Sequence, residues 1–312
     1  MERAALREAL GNELVELARK DERIVVLDAD LATSTKVDTF SRVFPERFFQ
    51  MGVTEQNMIG VAAGISTLGY IPFVSTFACF VAKRTLDQIR LVVAQPRLNV
   101  KLLACYTGLF TGRSGKTHQT VQDLAIMRSM PNMRVVVPGD AVEMVEVLKA
   151  VVEYEGPVYI RVARDPSPVF LPEDYKFKWG KPHTVRKGKD LTIICMGITT
   201  WRAIELAEEL AREGIECRIE HVASLKPLDP EAIAGIASES RCIVTIENHS
   251  ILGGLGGAVA EILAESRPTL MKRIGINDTY AESGSNDELA EKYGFGLGKM
   301  KRDCLDLLEK CR

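Results

Sequence analysis

Gly52-Val53-Thr54-Glu55-Gln56-Asn57-Met58 and Phe73-Val74-Ser75-Thr76-Phe77-Ala78-Cys79-Phe80 frame the segment that decides the fold. Glu55 opens an apolar helical run over about 55–67, and a strand over 70–76 then delivers two aromatics, Phe77 and Phe80. Strand end, helix and next strand in close succession describe the unit from which parallel α/β sheets are built. The segment also suggests chemistry. A carboxylate walled by aromatics can hold a flat, nitrogen-bearing ring and exchange a proton with it. The same residues equally suit a plain structural role, with Glu55 in the first turn of a capped helix and both phenylalanines in the core.

Outward from this unit the alternation continues in both directions. Helices are predicted over 3–20, 79–95, 119–129 and 140–153, and strands over 23–28, 100–106, 134–137 and 157–162. Continuous apolar strands alternating with helices indicate a parallel sheet covered on both faces. Ligands of such sheets gather beyond the carboxyl ends of the strands. Here those ends are Asp28-Ala29-Asp30, Gly52 to Glu55, Ser75 to Phe77, Tyr106-Thr107-Gly108 and Ala163-Arg164-Asp165. A proline- and charge-rich stretch follows, and then the alternation restarts. Strands are expected over 191–196, 217–222, 241–247 and 270–275, with helices over 199–213, 229–238, 254–265 and 299–310. The expectation is an α/β chain of two doubly wound parallel-sheet domains, 1–172 and 190–312, joined by a linker over 173–189.

Bulk properties narrow the function classes. A length of 312 residues accommodates about two ordinary domains. The net charge of −2, with Lys and Arg scattered, offers nothing to nucleic acid or an anionic membrane. The seven cysteines form an odd set without a C-x-x-C pair, so they read as small buried hydrophobes in a reducing compartment rather than a disulfide frame or metal site. The segment Met1 to Arg7 lacks the apolar core of a signal peptide, and no apolar run approaches about 18 residues. A cytoplasmic location is expected, with no membrane or nucleic-acid partner.

The loop from Tyr106 to Gln119 contains Gly115-Lys116-Thr117 and invites reading as a phosphate-cradling P-loop. Spacing opposes that, because the motif wants glycine where this chain has Phe110. The loop still suits an anion if backbone amides and Lys116 converge near the next helix start. Arg7, Ser34, His118 and Arg164 fall at predicted helix starts or strand ends on the ligand side, where they suit a phosphate-bearing substrate. Each can equally be structural or solvated, and Asp30 can be a turn residue. His183, His221 and His249 show no partners in the sequence, so core or surface positions are expected. Gly253-Gly254-Leu255-Gly256-Gly257 lacks dinucleotide spacing, and close packing of a helix on the second sheet accounts for it as well.

At this point the residues resemble a known family. Phe73 to Phe80 running on to Asp87-Gln88-Ile89-Arg90, Thr117-His118-Gln119 with Asp123-Leu124-Ala125, and Arg128-Ser129-Met130-Pro131 look like transketolase. Leu225-Lys226-Pro227-Leu228-Asp229, Ile246-Glu247-Asn248-His249 with Gly253 to Gly256, and Glu282-Ser283-Gly284 continue the match. It spans nearly the whole chain but only the C-terminal half of a full-length transketolase, the pyrimidine-binding and C-terminal domains. The Gly-Asp-Gly motif with which the family holds the cofactor's diphosphate and metal is absent.

The resemblance therefore implies the C-terminal subunit of a split, thiamine-diphosphate-dependent transketolase. An N-terminal partner subunit would hold the diphosphate with its Mg2+ or Ca2+, with no metal ligand from this chain, in an α2β2 assembly. It further implies that Glu55 hydrogen-bonds the aminopyrimidine ring nitrogen and favours its imino tautomer, with Phe77 and Phe80 lining the ring pocket. Asp30 and Leu31 would lie near the cofactor across the interface between subunits. Arg7, Ser34 and Arg164 would grip a sugar phosphate, and His118 would be an active-site histidine. The implied reaction moves a two-carbon ketol unit between sugar phosphates.

Two departures bear on the substrate. Tyr106 and Ser114 stand where the family usually has His and Asp in contact with the sugar phosphate and a substrate hydroxyl. With Arg113 and Lys116 nearby, the change makes the loop positive and suggests altered donor or acceptor preference. The nearest enzymatic alternative is the β-subunit of a 2-oxoacid dehydrogenase decarboxylase component. A P-loop ATP-binding protein is the alternative of another class.

Overall fold

A computed structural model describes residues 2–311. The alternating pattern folds into two α/β units. In the first, seven strands lie in the order Ser224–Lys226, Arg134–Val136, Val158–Val162, Lys101–Cys105, Ile71–Phe77, Ile24–Asp28 and Phe48–Gln50. The four central strands are wholly buried and pair in parallel, in keeping with their mostly apolar runs. Leu6–Lys20 and Ala141–Glu153 pack together on one face, sharing Leu6, Leu10, Leu14, Val147 and Leu148 in one core. Glu55–Thr67 covers the other face, burying Met58, Ile59, Ala62 and Ala63 at helical spacing. The second unit has five strands in the order Met271–Ile276, Ile243–Ser250, Leu191–Cys195, Cys217–His221 and His183–Arg186. The first four of these run parallel.

Several expectations change in detail. Both sheets are mixed at an edge: His183–Arg186 and Ser224–Lys226 pair antiparallel to their neighbours. The former lies inside the stretch that reads as a linker. Its residues are mostly half-exposed, so backbone pairing holds it without an apolar period. The latter comes from the second half of the chain yet completes the edge of the first sheet. The predicted helix 79–95 is broken into Ala78–Val81, Leu86–Gln88 and a π-helical turn, Ile89–Ala94. At the break the Thr85 hydroxyl donates to the Val81 carbonyl at 2.7 Å, a local bond that competes with the helix ladder. The helix expected from 119 begins only at Asp123, because Thr120 pairs with Gly108 in a β-bridge. Asn286–Lys292 is a further helix, and its Ser285/Glu288 capping box was a readable signal.

Buried ionic groups join the two units. Arg161 donates to both oxygens of Asp123 at 2.7 and 2.8 Å and to the Asn248 carbonyl of the second unit at 3.1 Å. Tyr159 donates its hydroxyl to the same Asp123. On the other side Glu143 meets His221 Nε2 at 2.6 Å and accepts from the Tyr175 hydroxyl and the Gly139 N–H. Burial alone would lower the His221 pKa, but the Glu143 carboxylate outweighs it and holds it well above its usual value. His221 and His249 thus have partners the sequence did not reveal. The His249 ring lies 2.7 Å from the Ser250 carbonyl and accepts from the Ala125 N–H, and burial lowers its pKa to about 4.

Candidate functional site

At the carboxyl edge of the first sheet, Asp28 builds the turn on which two of the expected residues stand. Its fully buried carboxylate accepts from the N–H groups of Leu31 and Ala32, at 2.8 and 3.0 Å, and from Gln50 Nε2 at 2.9 Å. Burial raises its pKa despite these bonds. The turn puts Asp30 in the left-handed region, φ 61°, and leaves it exposed at the mouth with Leu31 beside it. Asp30 is further held through its N–H, which donates to Gln50 Oε1 at 2.8 Å.

The neighbouring strand ends bring the other candidates into one continuous strip. Glu55 is the first residue of Glu55–Thr67 and only 2 % exposed. Its Oε1 accepts from Arg84 Nη1 at 2.6 Å, and the Arg84 guanidinium lies 4.5 Å over the ring of Phe80. Phe80 and Phe77 stack with centroids 5.9 Å apart and planes 27° off parallel. The His118 ring stands edge-on to both, at 5.6 Å from Phe80 and 5.9 Å from Phe77. Phe77 in turn stacks on Tyr106 at 4.1 Å. Separation in sequence hides this strip, which the parallel pairing of Ile71–Phe77 with Lys101–Cys105 assembles.

Beyond Tyr106 the strip becomes cationic. Arg7 donates to the Tyr106 hydroxyl at 3.1 Å and to the Ser34 carbonyl at 2.8 Å, so Ser34 meets Arg7 through its backbone. The Arg164 guanidinium lies 5.2 Å from the Tyr106 ring centre and donates to the Thr111 carbonyl. Arg7 Nε and Arg164 Nε are buried without a hydrogen-bond partner among the described residues, Arg164 Nε lying 3.8 Å from the Asp165 carboxylate, which leaves donor capacity at both sites. Two guanidiniums flanking one phenol suit a phosphate or another oxyanion. Ser114 falls in the short turn Gly112–Ser114, and its side chain joins none of the strip's hydrogen bonds among the described residues.

The Gly-rich loop does not cradle phosphate as a P-loop would. Phe110 is buried against Phe295 at 5.4 Å, and exposed Lys116 lies in a turn well before the helix start at Asp123. The amides of a helix start and Lys116 therefore do not converge. The glycines of Gly253 to Gly257 serve an internal carboxylate instead. Glu247 accepts from the N–H groups of Leu255 and Gly256, and a Cβ on Gly254 would fall 1.9 Å from its Oε2.

Sequence reasoning missed Arg84, Asp28 and Gln50. Arg84 carried one signal, its position four residues after Phe80 in a helical pattern, which places the two side chains together. Asp28 carried its place at a strand's carboxyl end, but its pairing with Gln50 depends on strand neighbours and carried no signal. A larger open cleft of about 870 Å³ lies at the opposite, amino end of the strands, lined by Arg23, Phe44, Arg47 and Tyr70. It shares no residue with the strip. The described residues contain no cluster of three or more His, Cys, Asp or Glu side chains able to hold a metal ion. No helix among them is long and apolar enough to cross a membrane. Stacked aromatics beside a buried carboxylate at a helix start fit a flat heterocycle with a ring nitrogen.

Comparison with known proteins agrees with this geometry. The family described as transketolase, pyrimidine binding domain, matches residues 2–168, and transketolase, C-terminal domain, matches residues 180–300. The 6-deoxy-6-sulfo-D-fructose transketolase subunit of a Clostridium species is 40 % identical over 98 % of this chain and 95 % of its own length. An apulose-4-phosphate transketolase subunit of Phocaeicola vulgatus is 36 % identical over 98 % of each chain. A solved split-gene transketolase, described as an inactive β4 tetramer, superposes with a TM-score of 0.92 at 46 % identity over 99 % of each chain.

Proposed function

The chain belongs to the transketolase family, as a C-terminal subunit of the split kind, and we propose that its carboxyl-edge strip is the pyrimidine-facing half of a thiamine-diphosphate site. The observation that carries this reading is the run from Glu55 through Phe80, Phe77 and His118 to Tyr106, Arg7 and Arg164, which suits a ring at one end and an oxyanion at the other. When bound, thiamine diphosphate supplies the carbanion chemistry of ketol transfer. The chain's residues orient the reactants and manage protons. Glu55 hydrogen-bonds a ring nitrogen and holds or moves a proton there. Phe77 and Phe80 wall the ring and exclude water from it. His118, edge-on to both rings, exchanges a proton with a substrate oxygen. Arg7 and Arg164 hold the phosphate end, with Tyr106 fixing Arg7 from below. Asp30 and Leu31 stand at the mouth, facing the cofactor across the interface between subunits.

On this reading the diphosphate and its Mg2+ or Ca2+ belong to an N-terminal partner subunit, and the working enzyme is an α2β2 assembly acting on sugar phosphates in the cytoplasm. The inactive β4 tetramer of the similar split-gene protein supports the need for a partner. Domains over 1–172 and 190–312 complete the proposed organisation, with His183–Arg186 of the stretch between them paired into the second sheet. The sulfosugar and apulose 4-phosphate activities named for two relatives support an altered substrate preference, which Tyr106 and Ser114 would set. The test is reconstitution with an N-terminal transketolase subunit. Each chain alone should be inactive, and the mixture should transfer a ketol unit between sugar phosphates without decarboxylating 2-oxoacids. Oxoacid turnover in place of ketol transfer would overturn the reading. A preference for xylulose 5-phosphate with ribose 5-phosphate over other sugars would remove the altered-specificity part alone.

A further inference from the structure

Arg84 is planar, cationic and placed on two groups at once. Its Nη1 donates to Glu55 Oε1 at 2.6 Å, and its guanidinium carbon lies 4.5 Å over the Phe80 ring. A nitrogen heterocycle bound at the proposed site would use the same two contacts, one hydrogen bond to Glu55 and one stacked face on Phe80. The guanidinium already takes one carboxylate oxygen and lies over the Phe80 ring, the two kinds of contact that the heterocycle would make. We infer that Arg84 is a built-in plug, occupying the ring's place in the unassembled chain and giving way when the cofactor's ring enters.

The local structure suits a side chain that leaves while its backbone stays. The Arg84 carbonyl accepts from Gln56 Nε2 at 3.0 Å, and its N–H donates to the Phe80 carbonyl at 2.9 Å, so the backbone is tied to both neighbours. The side chain is 47 % exposed, whereas that of Glu55 is 2 % exposed. One partner is therefore fixed and the other free to rotate into solvent. Arg84 also sits in the break between Ala78–Val81 and Leu86–Gln88, next to the π-helical turn Ile89–Ala94. A continuous helix would carry no such break, and π-turns of this kind recur at functional sites. The plug satisfies the Glu55 carboxylate while no ring is present, since a buried carboxylate without a partner is costly. It also sets a condition on binding, because a ligand for the open form sees its affinity reduced by the fraction of chains that are plugged.

This inference rests on the proposed thiamine-diphosphate site, and one experiment separates its failure from the failure of that reading. Cofactor binding to the reconstituted two-subunit complex is measured by calorimetry for the native chain, Arg84→Gln, Arg84→Lys and Arg90→Gln. Arg90 is exposed, paired only with Asp87 among the described residues, and outside the strip, so its variant controls for loss of a nearby positive charge. The plug predicts that Arg84→Gln binds thiamine diphosphate about five-fold more tightly, the scale of one half-exposed charge-assisted hydrogen bond. Arg84→Lys, which keeps the charge but not the planar stack, should fall between that variant and the native chain, and Arg90→Gln should match the native chain. If the native complex binds but Arg84→Gln binds equally or less tightly, Arg84 supports the ring and the plug is wrong. If Arg84→Gln fails to unfold cooperatively, Arg84→Lys decides by the same criterion. If the native complex binds no thiamine diphosphate, the functional reading falls and the plug with it.

Discussion

Glu55 and Glu247 occupy comparable places in the two sheets. Glu55 opens the helix that follows a strand end, Glu247 lies within Ile243–Ser250 and reaches the start of the helix that follows it, and each is buried. Glu247 is satisfied from within. Two N–H groups of its own following helix bond it at 2.7 and 2.9 Å, glycine at 254 lets the backbone approach, and burial lifts its pKa to about 7. Glu55 bonds instead to a half-exposed arginine and faces stacked aromatics. On the proposed reading, the strand end of the first sheet is a site because its carboxylate is held only by a half-exposed side chain that a ligand can replace. In the second sheet the position is closed by its own backbone, and what remains there is architecture.

Variants can break that division, and the largest effects should come from the buried ionic seams. Asp123→Asn leaves Arg161 charged and buried without its bidentate partner, at a cost of about 3–5 kcal/mol. Urea unfolding should show a large loss of stability or no folded protein; a change under about 1 kcal/mol would mean the seam matters little.

Glu143→Gln should cost somewhat less, about 2–3 kcal/mol, because a neutral His221 can still hydrogen-bond the amide. It should also change the pH dependence. The raised His221 pKa contributes stability that is full below 6.5 and lost as pH rises toward about 10. The lowered Glu143 pKa contributes stability that is present above 4.5 and lost on further acidification. Lys101, whose pKa burial lowers to about 7, adds an opposite trend over the same window that is common to both proteins, so the stability difference between the native chain and Glu143→Gln should shrink from pH 6.5 to 10. A difference that stays constant across that window would show that His221 is not the group that carries it.

The smallest effect belongs to the Tyr106 hydroxyl. Tyr106→Phe removes the hydroxyl that fixes Arg7 and should raise the KM for a sugar phosphate about three-fold, with kcat and the unfolding midpoint nearly unchanged. An equal fall in kcat would place Tyr106 closer to the reacting atoms than proposed.

Much of this was legible in the sequence because the informative patterns are local. Unbroken apolar runs such as Ile24–Asp28 and Lys101–Cys105 gave parallel strands, and the helix bounds 55–67 coincide with Glu55–Thr67. Glu55, Phe77, Phe80 and His118 were expected near the strand ends, and the structure brings them into one strip. What stayed hidden depends on partners distant in the chain. His221 finds Glu143 across the domain boundary, and Ser224–Lys226 finds the edge of the other sheet. Asp28 finds Gln50 through strand pairing, and Arg84 finds Glu55 across 29 residues of chain. No periodicity encodes such contacts.

The central claim is that Glu55 works on a bound ring while Glu247 only holds its own sheet. Its most direct test compares Glu55→Gln with Glu247→Gln in the reconstituted complex, measuring turnover and the unfolding midpoint for each. Glu55→Gln should lower turnover by roughly 100-fold or more and leave the midpoint in place, whereas Glu247→Gln should shift the midpoint and spare turnover. Near-native turnover in Glu55→Gln would contradict the account.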